Sequence, residues 1–133
     1  MTAAPTILLA EDDRFLRRAV EVALTKRGYH VIAAVDGQEA LDKAREHKPA
    51  LILLDLLMPR LTGMEVLDAL RSDPAMNDVK VLILSNSSKE LAMHDASRLG
   101  VSGYWIKANL SLQELGDRVA TFLPPGPPPT TAP

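Results

Sequence analysis

Five short apolar runs alternate with longer amphipathic segments along the chain, and this alternation constrains the fold most strongly. The runs are TILLA (6–10), HVIAA (30–34), ALILLD (50–55), KVLILS (80–85) and GYWIK (103–107). They lack the alternating polarity of half-exposed strands, so each is typical of a strand that is buried on both faces. Right-handed crossovers place helices on both sides of such a parallel sheet. The sequence therefore predicts a doubly wound α/β fold with the order (βα)×5.

Helix start and stop signals occupy the gaps between the predicted strands. Asp13 is placed to cap the first helix, because its side chain can accept from the exposed amides of the first turn. Asp36 with Glu39, and Ser111 with Glu114, have the spacing of capping boxes. The predicted helices cover about residues 14–27, 36–47, 63–71, 88–100 and 111–123.

Length and composition predict one globular domain that ends near residue 123. The 133 residues are 47% hydrophobic and 24% charged, which is enough apolar material for a real core. Residues 124–133 contain six prolines and cannot form a helix or a central strand. We expect a domain over residues 1–123, and a tail over 124–133 that is a spacer or a disordered end in extended form.

Composition also excludes several classes of function. The chain has no cysteine, which rules out disulfides, thiolate metal sites and a cysteine nucleophile, and its formal charge of -2 gives no electrostatic reason to expect nucleic acid. No run approaches the roughly 18 apolar residues of a membrane span, and no signal peptide is evident. We expect a cytoplasmic protein. The three histidines fall in different predicted elements and have no expected chemical role.

Polar side chains stand at the carboxyl ends of four predicted strands. In open parallel sheets, ligands bind beyond this edge, where the strand order reverses. We therefore expect these side chains to form one cluster. They are Glu11, Asp12 and Asp13 after the first strand, Asp55 at the end of the third, Ser85 at the end of the fourth and Lys107 at the end of the fifth.

The acids of this cluster require a cation. Two carboxylates about 4 Å apart repel each other by roughly 4 kcal/mol at an effective dielectric constant near 20. Hard oxygen donors favour Mg²⁺ over zinc, and Lys107 supplies a second positive charge. A metal, a lysine and a hydroxyl around one carboxylate are suited to holding a phosphoryl group, and Asp55 would be the nucleophile.

The chain resembles the receiver domain of two-component response regulators, close to the single-domain chemotaxis type, across about residues 5–123. The resemblance depends on AEDD after the first strand, LLDLLMP followed by Gly63, LILS and YWIK, all in the family's order. It implies a flavodoxin-like sheet of five parallel strands in the order 2-1-3-4-5.

The resemblance also implies roles for the acidic residues. Asp55 is the expected phosphoacceptor. Asp12 and Asp13, together with Asp55 and the backbone carbonyl of Leu57, are expected to hold Mg²⁺. Because the family's metal-binding pair is matched to Asp12 and Asp13, we interpret Glu11 as a solvated neighbour.

The resemblance further implies a signalling switch rather than an enzyme acting on a separate substrate. A sensor histidine kinase or a phosphotransfer protein is the expected donor, with self-catalysed transfer and slow autodephosphorylation. Lys107 is expected to bind the phosphoryl group, Ser85 to be the switch hydroxyl and Tyr104 the switch aromatic. The surface of the fourth helix, fifth strand and fifth helix would then meet an unidentified protein target, and a homodimer could form there. No direct contact with nucleic acid or membrane is expected.

Three positions depart from the family pattern. Ala108 follows Lys107 where proline is usual, Asn86 replaces a small residue beside the site, and Leu57 offers no polar group to orient water. Ala108 and Asn86 keep open a receiver-like interaction module that works without phosphorylation, whereas Leu57 is expected to prolong a phosphorylated state.

Two other classes are less compatible with the residues. A haloacid-dehalogenase-type phosphatase needs a second Asp at the place of Leu57. A flavodoxin-like flavin protein needs a hydroxyl-rich and glycine-rich loop after the first strand, where the acids of AEDD would repel phosphate.

Overall fold

The computed structural model describes residues 4–86, 100–108 and 111–125. The strands are β1 (Thr6–Ala10), β2 (His30–Ala34), β3 (Leu51–Asp55), β4 (Lys80–Ser85) and β5 (Gly103–Ile106). The helices are α1 (Arg14–Lys26), α2 (Gly37–His47), α3 (Gly63–Ser72) and a C-terminal helix (Leu112–Phe122). Residues 88–99 of the predicted helix 88–100, and residues 126–133 of the proline-rich tail, lie outside the described residues. In the described ranges, no helix has the length and apolar character needed to span a membrane.

The strands form a parallel five-stranded sheet in the order β2-β1-β3-β4-β5, which confirms the predicted fold class. β1, β2 and β4 have the bounds that were predicted for them. β3 begins one residue later than expected, at Leu51, and β5 ends one residue earlier, at Ile106. Lys107 therefore lies just beyond the sheet, where its side chain is no longer fixed by strand geometry.

The two faces of the sheet carry separate apolar cores, and this explains the continuous apolar runs. Alternate residues of β3 enter opposite cores: Ile52 and Leu54 pack with residues of α2 and α3, whereas Leu51 and Leu53 pack with residues of α1 and the C-terminal helix. All five residues of β3 are buried. Burying one such aliphatic side chain stabilises the folded state by about 1.5–3 kcal/mol. β3 therefore anchors both layers and fixes the position of its last residue, Asp55.

Polar caps set the beginning of each helix. The Asp13 side chain accepts from Phe15 N at 2.9 Å and Leu16 N at 3.2 Å, which confirms it as the cap of α1. α1 ends at Lys26, one residue before the predicted end, and the chain reverses at Gly28 with φ of 97°. This left-handed conformation is open to glycine at little cost.

The predicted capping boxes are present in part. Asp36 accepts from Glu39 N at 2.8 Å, but the Glu39 carboxylate accepts from Val35 N rather than from the amide of the cap. The Ser111 hydroxyl accepts from Glu114 N at 3.1 Å and begins the C-terminal helix. Each cap satisfies an amide that would otherwise lack a partner in the first helical turn.

α3 begins directly against the end of β3. Gly63 N donates to Leu56 O at 2.9 Å, and Thr62 with Glu65 forms a complete capping box that we did not predict. A Cβ atom at Gly63 would lie 2.3 Å from Asp55 O and 2.7 Å from Leu56 Cα. Only glycine permits this approach, which holds the loop after Asp55 close to the strand.

We predict that Gly63→Ala lowers the free energy of unfolding by about 3 kcal/mol, because rigid backbone must move to admit the methyl group. Urea unfolding monitored by circular dichroism measures the loss. Gly116→Ala is the matched control: the three atoms nearest to its Cβ would all belong to the Arg27 side chain, which can move away, and alanine is favoured inside a helix. Equal losses in the two variants would contradict the account.

Candidate functional site

The phosphoacceptor predicted from the sequence, Asp55, ends β3 beside a lysine. Asp55 is only 2% exposed to solvent. Asp55 Oδ1 accepts from Leu57 N at 3.2 Å, and Asp55 Oδ2 lies 3.1 Å from Lys107 Nζ. Both oxygens of this buried carboxylate are therefore oriented, one by the loop that follows β3 and one by the residue that follows β5.

Glu11 is also inside the pocket, so our interpretation of it as a solvated neighbour is wrong. It is fully buried, and Glu11 Oε1 lies 2.6 Å from Lys107 Nζ. This contact is an ion pair rather than a well-aligned hydrogen bond. The strand register explains the position: Ala10 pairs with Leu54, so the next step along β1 brings Glu11 beside Asp55.

Asp13, by contrast, is exposed at the start of α1, where its carboxylate accepts from the helix amides. The acids that approach one another are Glu11, Asp12 and Asp55, each of which offers an oxygen within 4.8 Å of the others. Glu11 thus occupies the place that we predicted for Asp13, because capping α1 directs the Asp13 side chain elsewhere. Of the predicted metal ligands, Asp12 and Asp55 belong to this group of acids.

The pocket holds more carboxyl groups than the single positive charge of Lys107 can neutralise. Burial, and then the neighbouring Asp55, raises the pKa of Glu11 to about 8 despite the opposing effect of Lys107. Burial lowers the pKa of Lys107, but Glu11 and Asp55 outweigh this and raise it above its ordinary value. Lys107 is therefore cationic at neutral pH, whereas burial and Asp55 disfavour the ionised form of Glu11.

The three acids fit a hard divalent cation. Magnesium binds oxygen at about 2.0–2.1 Å in an octahedron, so opposite ligands are about 4.2 Å apart. The oxygens of Glu11, Asp12 and Asp55 already lie within 4.8 Å of one another, and small side-chain movements would suffice. The acidic pocket can accordingly hold a metal ion.

The remaining predicted residues lie at the same edge of the sheet or just behind it. Ser85 is fully buried at the end of β4, and its carbonyl accepts from Lys107 N at 2.8 Å. Tyr104 is half-buried and packs against the core beneath α2 and α3. Leu57 is 48% exposed, and the peptide bond between Lys107 and Ala108 is trans. The ends of β4 and β5 are thus joined directly behind the pocket.

Comparison with known families agrees with this geometry. The family model described as "Response regulator receiver domain" matches residues 7–120. The chain belongs to the response regulator receiver domain family. Receiver domains serve signalling through histidine kinases or phosphotransfer proteins and downstream targets, and are not in general catalytic enzymes.

Curated relatives contain this domain within longer proteins. The alkaline phosphatase synthesis transcriptional regulatory protein PhoP of Bacillus subtilis is 36% identical over 88% of this chain and 48% of its own length. The response regulator MprA of Mycolicibacterium vanbaalenii is 38% identical over 88% of this chain and 49% of its own. The hybrid signal transduction histidine kinase D of Dictyostelium discoideum is 34% identical over 90% of this chain and 8% of its own. The chain spans about half or less of these relatives.

Solved structures match over their full length. The chemotaxis protein CheY4 of Vibrio cholerae has a TM-score of 0.83 at 27% identity, covering 91% of this receiver domain and 100% of that chain. The phosphorylated cyanobacterial phytochrome response regulator RcpA has a TM-score of 0.82 at 32% identity, covering 96% and 100%. The receiver fold of this chain is thus shared with free-standing solved domains.

We predict that Glu11→Gln weakens Mg²⁺ binding by at least about tenfold, because the variant keeps the shape of the side chain and removes one of the three pocket charges. Isothermal titration calorimetry measures the affinity. Asp13→Asn is the matched control, since it removes one charge from the same turn and leaves a side chain that still caps a helix. Its affinity should stay within about twofold of the parent's. A larger loss with Asp13→Asn than with Glu11→Gln would contradict the geometry.

Proposed function

We propose that this receiver domain accepts a phosphoryl group on Asp55 from a histidine kinase or a phosphotransfer protein in a Mg²⁺-dependent reaction. The contact that most supports this function is the placement of Lys107 Nζ, 3.1 Å from Asp55 Oδ2 and 2.6 Å from Glu11 Oε1. An ammonium in that position would neutralise an anion bound to Asp55. Three acids around it supply the ligands for a cation on the other side.

The transfer requires one bond to form and one to break. An oxygen of Asp55 attacks the phosphorus of a phosphohistidine, the P–N bond breaks, and the released imidazole nitrogen takes a proton. The product is an acyl phosphate on Asp55. A Mg²⁺ ion held by Glu11, Asp12, Asp55 and the Leu57 carbonyl would supply positive charge to the phosphoryl oxygens.

Burial of Asp55 favours this chemistry and protects its product. A carboxylate that is 2% exposed has few water molecules to shed before it attacks phosphorus. Leu57, which follows two residues later, is half-exposed and contributes no polar side-chain atom that could orient an attacking water. The acyl phosphate should therefore hydrolyse slowly by itself.

Ser85 and Tyr104 are the proposed switch. Phosphorylation adds charge in front of Lys107, which is joined to Ser85 by the hydrogen bond from Lys107 N to Ser85 O. Movement of the Ser85 hydroxyl toward the phosphoryl group would free space behind it, into which the half-buried Tyr104 ring can turn. A pre-existing equilibrium is biased in this way, and a full reversal needs roughly 5.5 kcal/mol of differential stabilisation.

The responding surface would comprise the predicted helix 88–100, β5 and the C-terminal helix. Its partner is a downstream protein, and a second copy of this chain is another candidate for the same surface. We further propose a cytoplasmic protein in which residues 1–123 form the receiver domain and residues 124–133 a proline-rich tail or linker, without direct contact to nucleic acid.

We predict that acetyl phosphate, a small phosphodonor, adds one phosphoryl group to the protein only when Mg²⁺ is present. Intact mass spectrometry detects the addition, and peptide mapping locates it on Asp55. Asp55→Asn should abolish it, whereas Asp42→Asn, an exposed carboxylate on α2, should leave it unchanged. The fluorescence of Trp105, the single tryptophan, should change with the same Mg²⁺ dependence because Trp105 adjoins Tyr104 in β5.

An interaction module that works without phosphorylation makes the opposite prediction. Such a module would show neither a mass increase nor a fluorescence change at millimolar Mg²⁺ and excess phosphodonor. That result would overturn the proposed function while leaving the fold intact.

A further inference from the structure

One arginine on α1 holds the turn that carries two of the pocket acids. Arg17 NH1 donates to Glu11 O at 3.0 Å and to Asp12 O at 3.3 Å. A single guanidinium nitrogen thus bridges two consecutive carbonyls, both of which belong to residues whose side chains enter the acidic pocket. The side chain of Arg17 acts on the backbone of these residues and leaves their carboxylates available.

The rest of the turn is fixed at both ends. Glu11 N donates to Ala34 O at 3.1 Å, which continues the hydrogen bonding between β1 and β2 by one residue. Asp13 O accepts from Arg17 N at 2.9 Å, as the first helical bond of α1. Arg17 therefore binds three successive carbonyls, one through its backbone amide and two through its guanidinium. Together these contacts define the path of the chain from the sheet into the helix.

The neighbouring Arg18 shows that this contact is not a general property of arginines on α1. Arg18 NH1 pairs with Glu21 at 3.1 Å on the same helix, and the side chain of Arg18 is 72% exposed. Arg18 carries the same charge one position further along the chain, and it makes none of the contacts described above that hold the acidic turn. It is thus a matched reference for the effect of charge alone.

We propose that Arg17 is a positioning residue for the metal site: it fixes the backbone of Glu11 and Asp12 so that their carboxylates face Asp55. This inference rests on the proposed Mg²⁺ site. Metal ligands must be held within about 0.5 Å of their bonding positions, and outer contacts that do so change metal affinity by about 10–100-fold.

Charge and position act in opposite directions here, which makes the role testable. A cationic guanidinium near the pocket repels a second cation, so removal of its charge alone should tighten Mg²⁺ binding slightly. Loss of the two carbonyl contacts should instead loosen the turn and weaken binding. The sign of the change therefore distinguishes a positioning residue from a merely charged one.

The experiment compares Arg17→Met with Arg18→Met by Mg²⁺ calorimetry. Methionine keeps the unbranched stem of the side chain and the helix propensity, and removes the donors and the charge. We expect Arg17→Met to bind Mg²⁺ about tenfold more weakly than the parent, at the lower end of the range for such outer contacts. Arg18→Met should bind equally or slightly more tightly.

Arg17→Lys keeps the charge and one donor group, so its affinity should fall between those of the parent and Arg17→Met. If circular dichroism shows that Arg17→Met does not fold, Arg17→Lys replaces it in the comparison with the parent. As a second readout, hydrogen exchange of the Asp12 and Asp13 amides in the metal-free protein should be faster in Arg17→Met than in Arg18→Met. Faster exchange would show a loosened turn independently of any metal.

The outcomes separate this inference from the proposed function. If the parent binds Mg²⁺ and Arg17→Met binds it as tightly as Arg18→Met, the positioning role is overturned and the proposed metal site stands. Parental affinity in Arg17→Lys, together with weak binding in Arg17→Met, would support the role, because a lysine ammonium can donate to the same two carbonyls. If the parent itself does not bind Mg²⁺, the metal site fails, and the role of Arg17 fails with it.

Discussion

The ammonium of Lys107 between two buried carboxylates is the contact on which the site depends. Lys107 follows β5, and β4 lies between β5 and β3 in the sheet. At the usual distance between neighbouring strands, β5 and β3 are therefore about 10 Å apart. Only a long cationic side chain can cross that distance. The small Ser85 at the end of β4 leaves room for it, and the hydrogen bond from Lys107 N to Ser85 O fixes where it starts. Breaking such a buried pair typically costs about 3–5 kcal/mol.

Without a further cation, the acidic groups of this pocket outnumber Lys107, the cationic side chain that contacts them. This imbalance of charge links stability to function. Glu11 is fully buried with a pKa raised to about 8, because desolvation and Asp55 together oppose its ionisation. A fold selected for stability alone would place a neutral side chain there. In the proposed function, a cation and a phosphoryl group would offset the excess acid, and the binding energy of these ligands would then be available to shift the loops around Ser85.

Much of this arrangement could be predicted from the sequence. The strands were predictable because both faces of the sheet are covered, which makes the inner residues of every strand apolar and leaves the acids, Ser85 and Lys107 at the carboxyl ends of the strands. The choice among Glu11, Asp12 and Asp13 was not predictable from composition, since three consecutive acids differ only in register. The helix cap at Asp13 was predicted, but the pairing of Ala10 with Leu54, which brings Glu11 beside Asp55, is a property of the folded chain.

A crystal structure with Mg²⁺ and beryllofluoride, which mimics a phosphoryl group on a carboxylate, would test the central claim most directly. We predict a beryllium adduct on Asp55, Lys107 Nζ in contact with one of its fluorides, and a metal ion bound by Glu11, Asp12 and Asp55. Asp13 should remain on the amides that begin α1. A structure in which Asp55 carries no adduct, or in which Asp13 replaces Glu11 as the metal ligand, would contradict this account.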